Sequence, residues 1–227
     1  MLTSNSLSRN SDKLSPAQLQ VFFVSIVCFS FISLLFYRAF ARQPVWFDEI
    51  FFKGIVFGGP VWIYMRYSQK TAAFFGLESR QFWNGAFQGL AIGGLFAFVA
   101  LVSSAVGKGA VFIPHLFTAS RFWSEFGLAF MTAWWESLFF YGLILPILDE
   151  RFHNEWIASG LTTVIFLLFH APVLLLRSGF SGALSPLMLL AFFAFGQAVL
   201  FLRTRSISSV VVSHAFWGMA LLVYGSQ

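Results

Sequence analysis

Three ionisable side chains, those of Glu136, His170 and His214, lie inside stretches of sequence that are otherwise apolar. The run around Glu136 reads AWWESLFFYG, and an ionisable group in such a run usually faces the interior of a helix bundle or a water-filled cavity. A buried carboxylate can take a proton from water as a general base, and imidazoles can stabilise the charge that develops on a carbonyl oxygen. Water activated by Glu136 and a carbonyl polarised by the two histidines would make peptide hydrolysis feasible. The same donor types could instead bind zinc with one open coordination position.

Each of these residues also has a structural interpretation. A histidine that faces another helix is often satisfied by a single hydrogen bond, and for His214 taken alone this interpretation is the stronger one. Glu136 could bond to a hydroxyl group on a neighbouring helix, although it is the only acid that we place inside a predicted span. Gln197 also lies in a span, and we interpret it as structural. His115 and His153 fall in predicted connections, where solvated or interfacial roles are the default.

The composition indicates an integral membrane protein. Of the 227 residues, 58% are hydrophobic and 10% are charged, whereas soluble domains contain about 25% charged residues. The net charge of +5 does not indicate nucleic-acid binding, because the 14 Lys and Arg residues are scattered through short connections. We therefore expect the lipid bilayer as a partner and no nucleic acid.

The apolar stretches predict an all-α, polytopic bundle of transmembrane helices. A helix of roughly 20 apolar residues crosses a hydrocarbon core of ~30 Å, and none of the stretches alternates as a barrel strand would. We predict about seven spans (six to eight) in a single domain of residues 20–227, after a polar tail of residues 1–19. The spans are residues 20–37, 50–67, 85–106, 127–148, 157–176, 187–202 and 207–224. The second is weak because Lys53 and Gly58-Gly59-Pro60 interrupt it. In the third, Gly85, Gly89 and Gly93 predict close helix packing.

The depth of the three ionisable residues can be compared across the predicted spans. Glu136 lies 12 residues before the end of its span and His170 lies 13 residues into the next, which corresponds to roughly 18 Å and 20 Å at ~1.5 Å per residue. Because neighbouring helices run antiparallel, these two groups should reach similar depths. His214 lies seven residues into its span, at roughly 10 Å. Tilt or a later helix boundary would bring all three groups into one cavity.

Three short motifs around these residues have the order and spacing of a known family. Its first motif is Glu-Glu, three residues, Arg and commonly Gly, and the segment that begins at Glu136 has this shape. The second, Phe-x-x-x-His, matches Phe166 to His170, and the third, His followed four residues later by Asn, begins at His214. Over about residues 75–218 the chain therefore resembles the CPBP family of intramembrane proteases, also called the Abi or CAAX-protease family and typified by Rce1-type prenyl-protein endopeptidases.

This resemblance implies a protease-like core of about residues 75–224. It implies that Glu136 activates water and that His170 and His214 stabilise the oxyanion. Family behaviour is metal-independent, so we expect no cofactor, with zinc held by the same three residues as the open alternative. The implied partner is a membrane-associated protein or peptide substrate. The implied location is a bacterial inner membrane, where members of this family act in bacteriocin immunity or process C-terminal membrane anchors.

The chain departs from the family motifs at three positions. The second Glu is Ser137, the Arg is Tyr141, and the Asn is Gly218. Ser137 and Tyr141 are four residues apart on one helix face, so we interpret the change as a coordinated replacement of an ion pair by two neutral groups. Loss of the Asn removes a polar group beside the last histidine, for which Trp217 or Ser213 could substitute. Four residues are predicted to support the site or to bind substrate: Ser137, Tyr141, Phe166 and Trp217.

The sequence leaves three functional hypotheses. The first is an intramembrane endopeptidase that processes C-terminal anchors or tails, since loss of the Glu–Arg pair argues against prenylated CAAX substrates. The second is a catalytically degenerate binding or immunity protein of the same fold. The third, a transporter that relays protons, ranks last because it predicts paired or repeated halves, and the sequence has no internal repeat.

Overall fold

The computed structural model describes residues 14–41, 43–108 and 122–224, and these ranges contain helices and no strand. The prediction of an all-α fold is therefore confirmed. Six helical elements are labelled here in chain order. They are α1 (Pro16–Phe40), α2 (residues 45–68), α3 (Ser79–Lys108), α4 (Phe122–Phe152), α5 (Glu155–Thr204) and α6 (Ile207–Tyr224).

Four of these helices, α1, α4, α5 and the segment Ala72–Ser103 that contains most of α3, are long and apolar enough to cross a membrane. The apolar part of α6, Ile207–Ala220, is shorter. With 50 residues, α5 would extend about 75 Å if it were straight, more than twice the ~30 Å core. Gly179, with φ 65° and ψ −178°, interrupts its helical geometry, and the predicted spans 157–176 and 187–202 lie on either side. The total of about seven spans is not confirmed.

Helix α1 begins at Pro16, four residues before the predicted start of the first span at residue 20. Ser15 caps it, because its hydroxyl accepts a hydrogen bond from the Gln18 backbone while the Gln18 side chain accepts one from the Ser15 backbone. Pro16 occupies the first turn, where a missing N–H costs nothing. Residues 1–13 of the predicted tail lie outside the described residues.

Helices α2 and α4 both contain wide π-helical turns. In α2, the turns Asp48–Phe52 and Gly54–Gly58 flank Lys53. In α4, the π-helical stretch Leu138–Ile144 begins directly after Ser137, and all seven of its residues are buried. Pro146 follows and cannot donate a backbone hydrogen bond to the preceding turn, which favours a change of helical register. Such π turns occur frequently at functional sites.

Helix α3 packs closely along α6 through the glycines that the sequence analysis identified. A Cβ atom built at Gly89 would lie 2.3 Å from the Ser209 carbonyl oxygen, and one at Gly93 would lie 2.7 Å from Phe216 Cβ. A Cβ at Gly85 would lie 2.4 Å from Ser206 Oγ. These three positions therefore permit a backbone approach that any side chain would prevent, as predicted.

Gly89→Ala is expected to lower the free energy of unfolding by about 1–3 kcal/mol, because the new methyl group collides with the α6 backbone. Gly94→Ala is the matched control in the same helix, since a Cβ there would meet no heavy atom within 4 Å. The control should gain up to about 1 kcal/mol from higher helix propensity. Thermal unfolding of the purified protein in detergent measures both, and equal changes in the two variants would contradict the close approach of α3 and α6.

Candidate functional site

The structure brings Glu136, His170 and His214 together from α4, α5 and α6. Nε2 of His170 lies 3.7 Å from Glu136 Oε2, and Nε2 of His214 lies 3.8 Å from the same oxygen. Glu136 and His214 are buried, with 6% and 8% of their surface exposed, whereas His170 is partly exposed. The predicted convergence of the three side chains therefore occurs, with both imidazoles directed at one carboxylate oxygen.

The shallow depth predicted for His214 is offset by the turn that precedes α6. Arg205 in that turn pairs with Asp149 at 3.0 Å, and a Cβ atom built at Gly142 would lie 3.4 Å from Ile207 Cδ1, so α6 begins beside Gly142 rather than beside the end of α4. The backbone N–H of Ile207 also donates to the carbonyl of Gly76, at 2.9 Å. These contacts place the first residues of α6 deeper than a count from the end of α4 suggests.

The orientation of His170 is set within its own helix. Its Nδ1 lies 2.8 Å from the carbonyl oxygen of Phe166, and because a carbonyl only accepts, Nδ1 must carry a proton. The Phe166 ring also stacks on the imidazole, with 4.2 Å between ring centroids. In neutral His170 the nitrogen that faces Glu136 is therefore a hydrogen-bond acceptor, and it becomes a donor when the ring is protonated.

The orientation of His214 depends on a hydroxyl group, which leaves both tautomers open. Ser137 Oγ lies 3.3 Å from His214 Nδ1, and a hydroxyl can donate or accept. When Ser137 donates, Nε2 of His214 carries the proton that faces Glu136. Phe193 meets the imidazole at 4.9 Å, and Trp217 stacks on Phe193 at 4.7 Å. The Phe193 ring therefore lies between the Trp217 ring and the His214 imidazole.

The two hydroxyl residues of the first motif do not pair with each other. Ser137 faces His214, whereas the Tyr141 hydroxyl is buried and has no hydrogen-bond partner among the described residues. The two replacements of the family's Glu–Arg pair therefore occupy separate environments. At Gly218, which stands in place of the family's Asn, a Cβ would meet no heavy atom of the described residues within 4 Å.

A hydrogen bond joins Gln197 of α5 to Ser213 of α6. The Gln197 amide donates to Ser213 Oγ at 2.9 Å and links α5 to α6 one residue before His214. Ser213, named above as a possible substitute for the missing Asn, therefore has Gln197 as a hydrogen-bond partner. His153 lies at the exposed end of α4 in a left-handed conformation (φ 52°). His115 lies outside the described residues.

Lys53 completes the site from α2, and the sequence analysis missed it. Its Nζ lies 2.8 Å from Glu136 Oε1 and 2.6 Å from Glu49 Oε2. Lys53 and Glu136 are equally buried, each 6% exposed. Asp48 and Glu49 directly precede the predicted span 50–67, and the structure places both of them inside helix α2. An acid and a lysine four residues apart in an apolar segment were the available signal, since such residues share a helix face.

No group of three or more His, Cys, Asp or Glu side chains in the described ranges is arranged to hold a metal ion. One oxygen of Glu136 is engaged by the Lys53 ammonium, so a metal ion at this carboxylate would lie beside a second cation. The arrangement of donors gives no support to the zinc alternative. Independence of metal stays a prediction.

Comparison with known proteins agrees with the resemblance drawn from the motifs. Residues 118–220 match the family model described as type II CAAX prenyl endopeptidase Rce1-like. The match contains Glu136, His170 and His214, and it excludes α1, α2 and α3. Neither the curated proteins nor the solved structures gave a significant match. Together with the long apolar helices, the family match supports an integral membrane protein whose residues 118–220 are similar to the Rce1-like type II CAAX prenyl endopeptidases.

Proposed function

We propose that this protein is an intramembrane endopeptidase in which Glu136 is the general base that activates water. The observation that carries the proposal is the position of the Glu136 carboxylate: Lys53 pairs with one oxygen, and two imidazoles lie within 4 Å of the other. An apolar, enclosed site strengthens each of these electrostatic interactions. The family match supports peptide hydrolysis as the reaction.

The proposed reaction begins when Glu136 Oε2 accepts a proton from a water molecule. The water oxygen bonds to the carbonyl carbon of the substrate, and the carbonyl π electrons move to its oxygen, which becomes an oxyanion. When this tetrahedral intermediate collapses, the carbon–nitrogen bond breaks and the proton held by Glu136 passes to the leaving amine. The products are a new carboxyl terminus and a new amino terminus.

The two histidines suit different tasks in this reaction. His214 can present an Nε2 proton to the oxyanion while its Nδ1 accepts a hydrogen bond from Ser137. Neutral His170 presents a lone pair at Nε2, because its Nδ1 proton is donated to Phe166. We therefore assign His214 to oxyanion stabilisation and His170 to holding the attacking water. Protonated His170 would join His214 as a second donor to the oxyanion.

The proposed substrates are membrane-associated proteins, cleaved at a C-terminal anchor or tail in a bacterial inner membrane. The replacement of the family's Glu–Arg pair by Ser137 and Tyr141 supports a substrate class other than prenylated CAAX tails. Tyr141 is fully buried in α4, so this position offers no charge that could recognise a substrate carboxylate. The proposed protease core, residues 75–224, includes α3 because α3 packs closely along α6.

Membrane fractions of cells that produce the wild-type chain or Glu136→Gln should be compared by mass spectrometry of protein termini. We expect at least one membrane protein with a new C-terminus inside or beside its anchor in the wild-type cells alone. Identical termini in the two cell populations would overturn the proposal.

Cleavage by the purified wild-type chain is expected to persist in a strong chelator, because the proposed water activation uses a carboxylate. The rate of peptide cleavage before and after chelation measures this. Loss of activity that added zinc restores would instead favour the metal alternative.

The second candidate is a degenerate binding or immunity protein, and the departures at Ser137, Tyr141 and Gly218 favour it. It predicts that Glu136→Gln and His170→Ala retain full biological activity in cells. The endopeptidase proposal predicts that both variants lose that activity.

A further inference from the structure

Helix α2 carries a buried cluster of charges that the family match does not include. The ammonium of Lys53 lies between the carboxylates of Glu49 and Glu136, at 2.6 Å and 2.8 Å. Thr132, one turn before Glu136 in α4, donates its hydroxyl to the Glu49 oxygen that also binds Lys53. These contacts join the segment before residue 118 to the proposed general base.

The approach of α2 to α4 is built into the sequence through two glycines. A Cβ atom at Gly58 would lie 2.6 Å from the ring of Trp135, and one at Gly54 would lie 3.3 Å from the same ring. Trp135 directly precedes Glu136, so this close contact brings Lys53 within reach of the carboxylate. The π-helical turns on both sides of Lys53 belong to the same contact region.

The geometry divides the two oxygens of Glu136 between different partners. Lys53 binds Oε1, whereas both imidazoles face Oε2. A buried carboxylate without a cation would be costly to keep charged, and an uncharged acid could not act as a base. Glu49 also forms an ion pair with the Lys53 ammonium, so Lys53 does not pair with Glu136 alone. One cation shared by two carboxylates leaves a net negative charge available to accept a proton.

We propose that Lys53 is a positioning residue for Glu136, and that Glu49 limits how tightly Lys53 binds it. This inference rests on the proposed function, since it concerns the residue that activates water. Lys53 keeps Glu136 charged and directs Oε2 towards the histidines. Glu49 pairs with the Lys53 ammonium, and Thr132 bonds to Glu49, so the ammonium does not bind Glu136 alone.

Lys53→Met is expected to lower kcat for peptide cleavage by about 10- to 100-fold, as loss of an outer-shell partner does at metal sites, with little change in KM. Lys53→Arg retains the cation and should recover part of kcat. Asp48→Asn is the matched control, because Asp48 is buried in α2 and pairs with Arg38 at 2.6 Å, away from Glu136. It should leave kcat nearly unchanged, because loss of a buried ion pair away from the reacting groups lowers stability rather than the rate of cleavage. An equal loss in the control would show that α2 acts only as a structural support, and would overturn the inference.

Infrared spectroscopy supplies a readout that does not depend on activity. Without Lys53, two neighbouring carboxylates have no cation between them and cannot both stay charged. Lys53→Met should therefore show the carbonyl band of a protonated acid, and this band should be absent from the wild type. If the band does not appear, Lys53 does not control the charge of these carboxylates and the inference fails.

Glu49→Gln tests the inference without leaving an unpaired carboxylate, which protects the test if Lys53→Met does not fold. We expect a lower kcat, because Lys53 then binds Glu136 alone and competes with the proton from water. An unchanged kcat would overturn the role of Glu49. Glu136→Gln separates the two proposals: if it retains cleavage, the proposed function fails, whereas if it abolishes cleavage and Lys53→Met does not reduce it, only the present inference fails.

Discussion

Glu136→Gln is expected to lower kcat for peptide cleavage by about 10³- to 10⁴-fold, the upper range for loss of a general base. The amide has nearly the same shape as the carboxylate and can still accept the Lys53 hydrogen bond, so the helices should keep their packing. It cannot take a proton from water at neutral pH. The loss should therefore appear in kcat, with KM almost unchanged.

Glu150→Gln is the matched control for this prediction. Glu150 lies on the same helix, α4, but it is exposed and pairs with Lys70 at 2.5 Å. Loss of such an exposed ion pair is worth at most about 1 kcal/mol of stability and should not affect cleavage. Both variants should be purified and assayed on the same peptide. Cleavage by Glu136→Gln at the rate of the control would end the role proposed for Glu136.

Removal of either imidazole should cause the next largest loss of kcat. His214→Ala is expected to lower kcat by about 10²- to 10³-fold, the range for loss of one group that stabilises an oxyanion. His170→Ala is expected to lower kcat by about 10²-fold, because the attacking water would no longer be held in place. Because both histidines face the same carboxylate oxygen, the double variant should lose less than the product of the two single effects. Single-turnover kinetics of the three variants measures this coupling.

The different hydrogen bonds of the two histidines give this prediction a finer test. His214→Gln retains an N–H group near the position of Nε2 and should keep more activity than His214→Ala, since donation to the oxyanion is the role assigned to His214. His153→Asn is the control, because His153 is exposed and asparagine tolerates its left-handed backbone. If His153→Asn loses as much activity as His214→Ala, the loss reflects general damage to the protein.

The sequence predicted the helical class and the three convergent side chains for physical reasons. Apolar runs long enough to cross a bilayer restrict the backbone to helices, and antiparallel neighbours bring residues at equal distances from a turn to equal depth. These two arguments sufficed for Glu136 and His170. The position of His214 depends on a further contact that the local sequence does not encode, the approach of Ile207, at the start of α6, to Gly142 in α4.

The sequence analysis did not predict the contact of Lys53 with Glu136, which joins residues 83 positions apart. That contact depends on how closely α2 approaches Trp135, and no local pattern encodes this distance. The predicted coupling of Ser137 with Tyr141 illustrates the same limit. A spacing of four residues places both on one stretch of helix, but the π-helical turns that begin at Leu138 change the register between them. Ser137 consequently faces α6, while Tyr141 is enclosed by the core.

The ammonium bridge between α2 and α4 has a consequence for how such a protein can be altered by recombination. A hybrid that joins this chain to the first 70 residues of a homologue without a lysine at position 53 would lose the cation and keep the Glu136 anion. The reciprocal hybrid would bury a lysine beside a helix that need not carry its acidic partner. Positions 53 and 136 are therefore expected to be inherited as one unit, although more than a third of the polypeptide separates them.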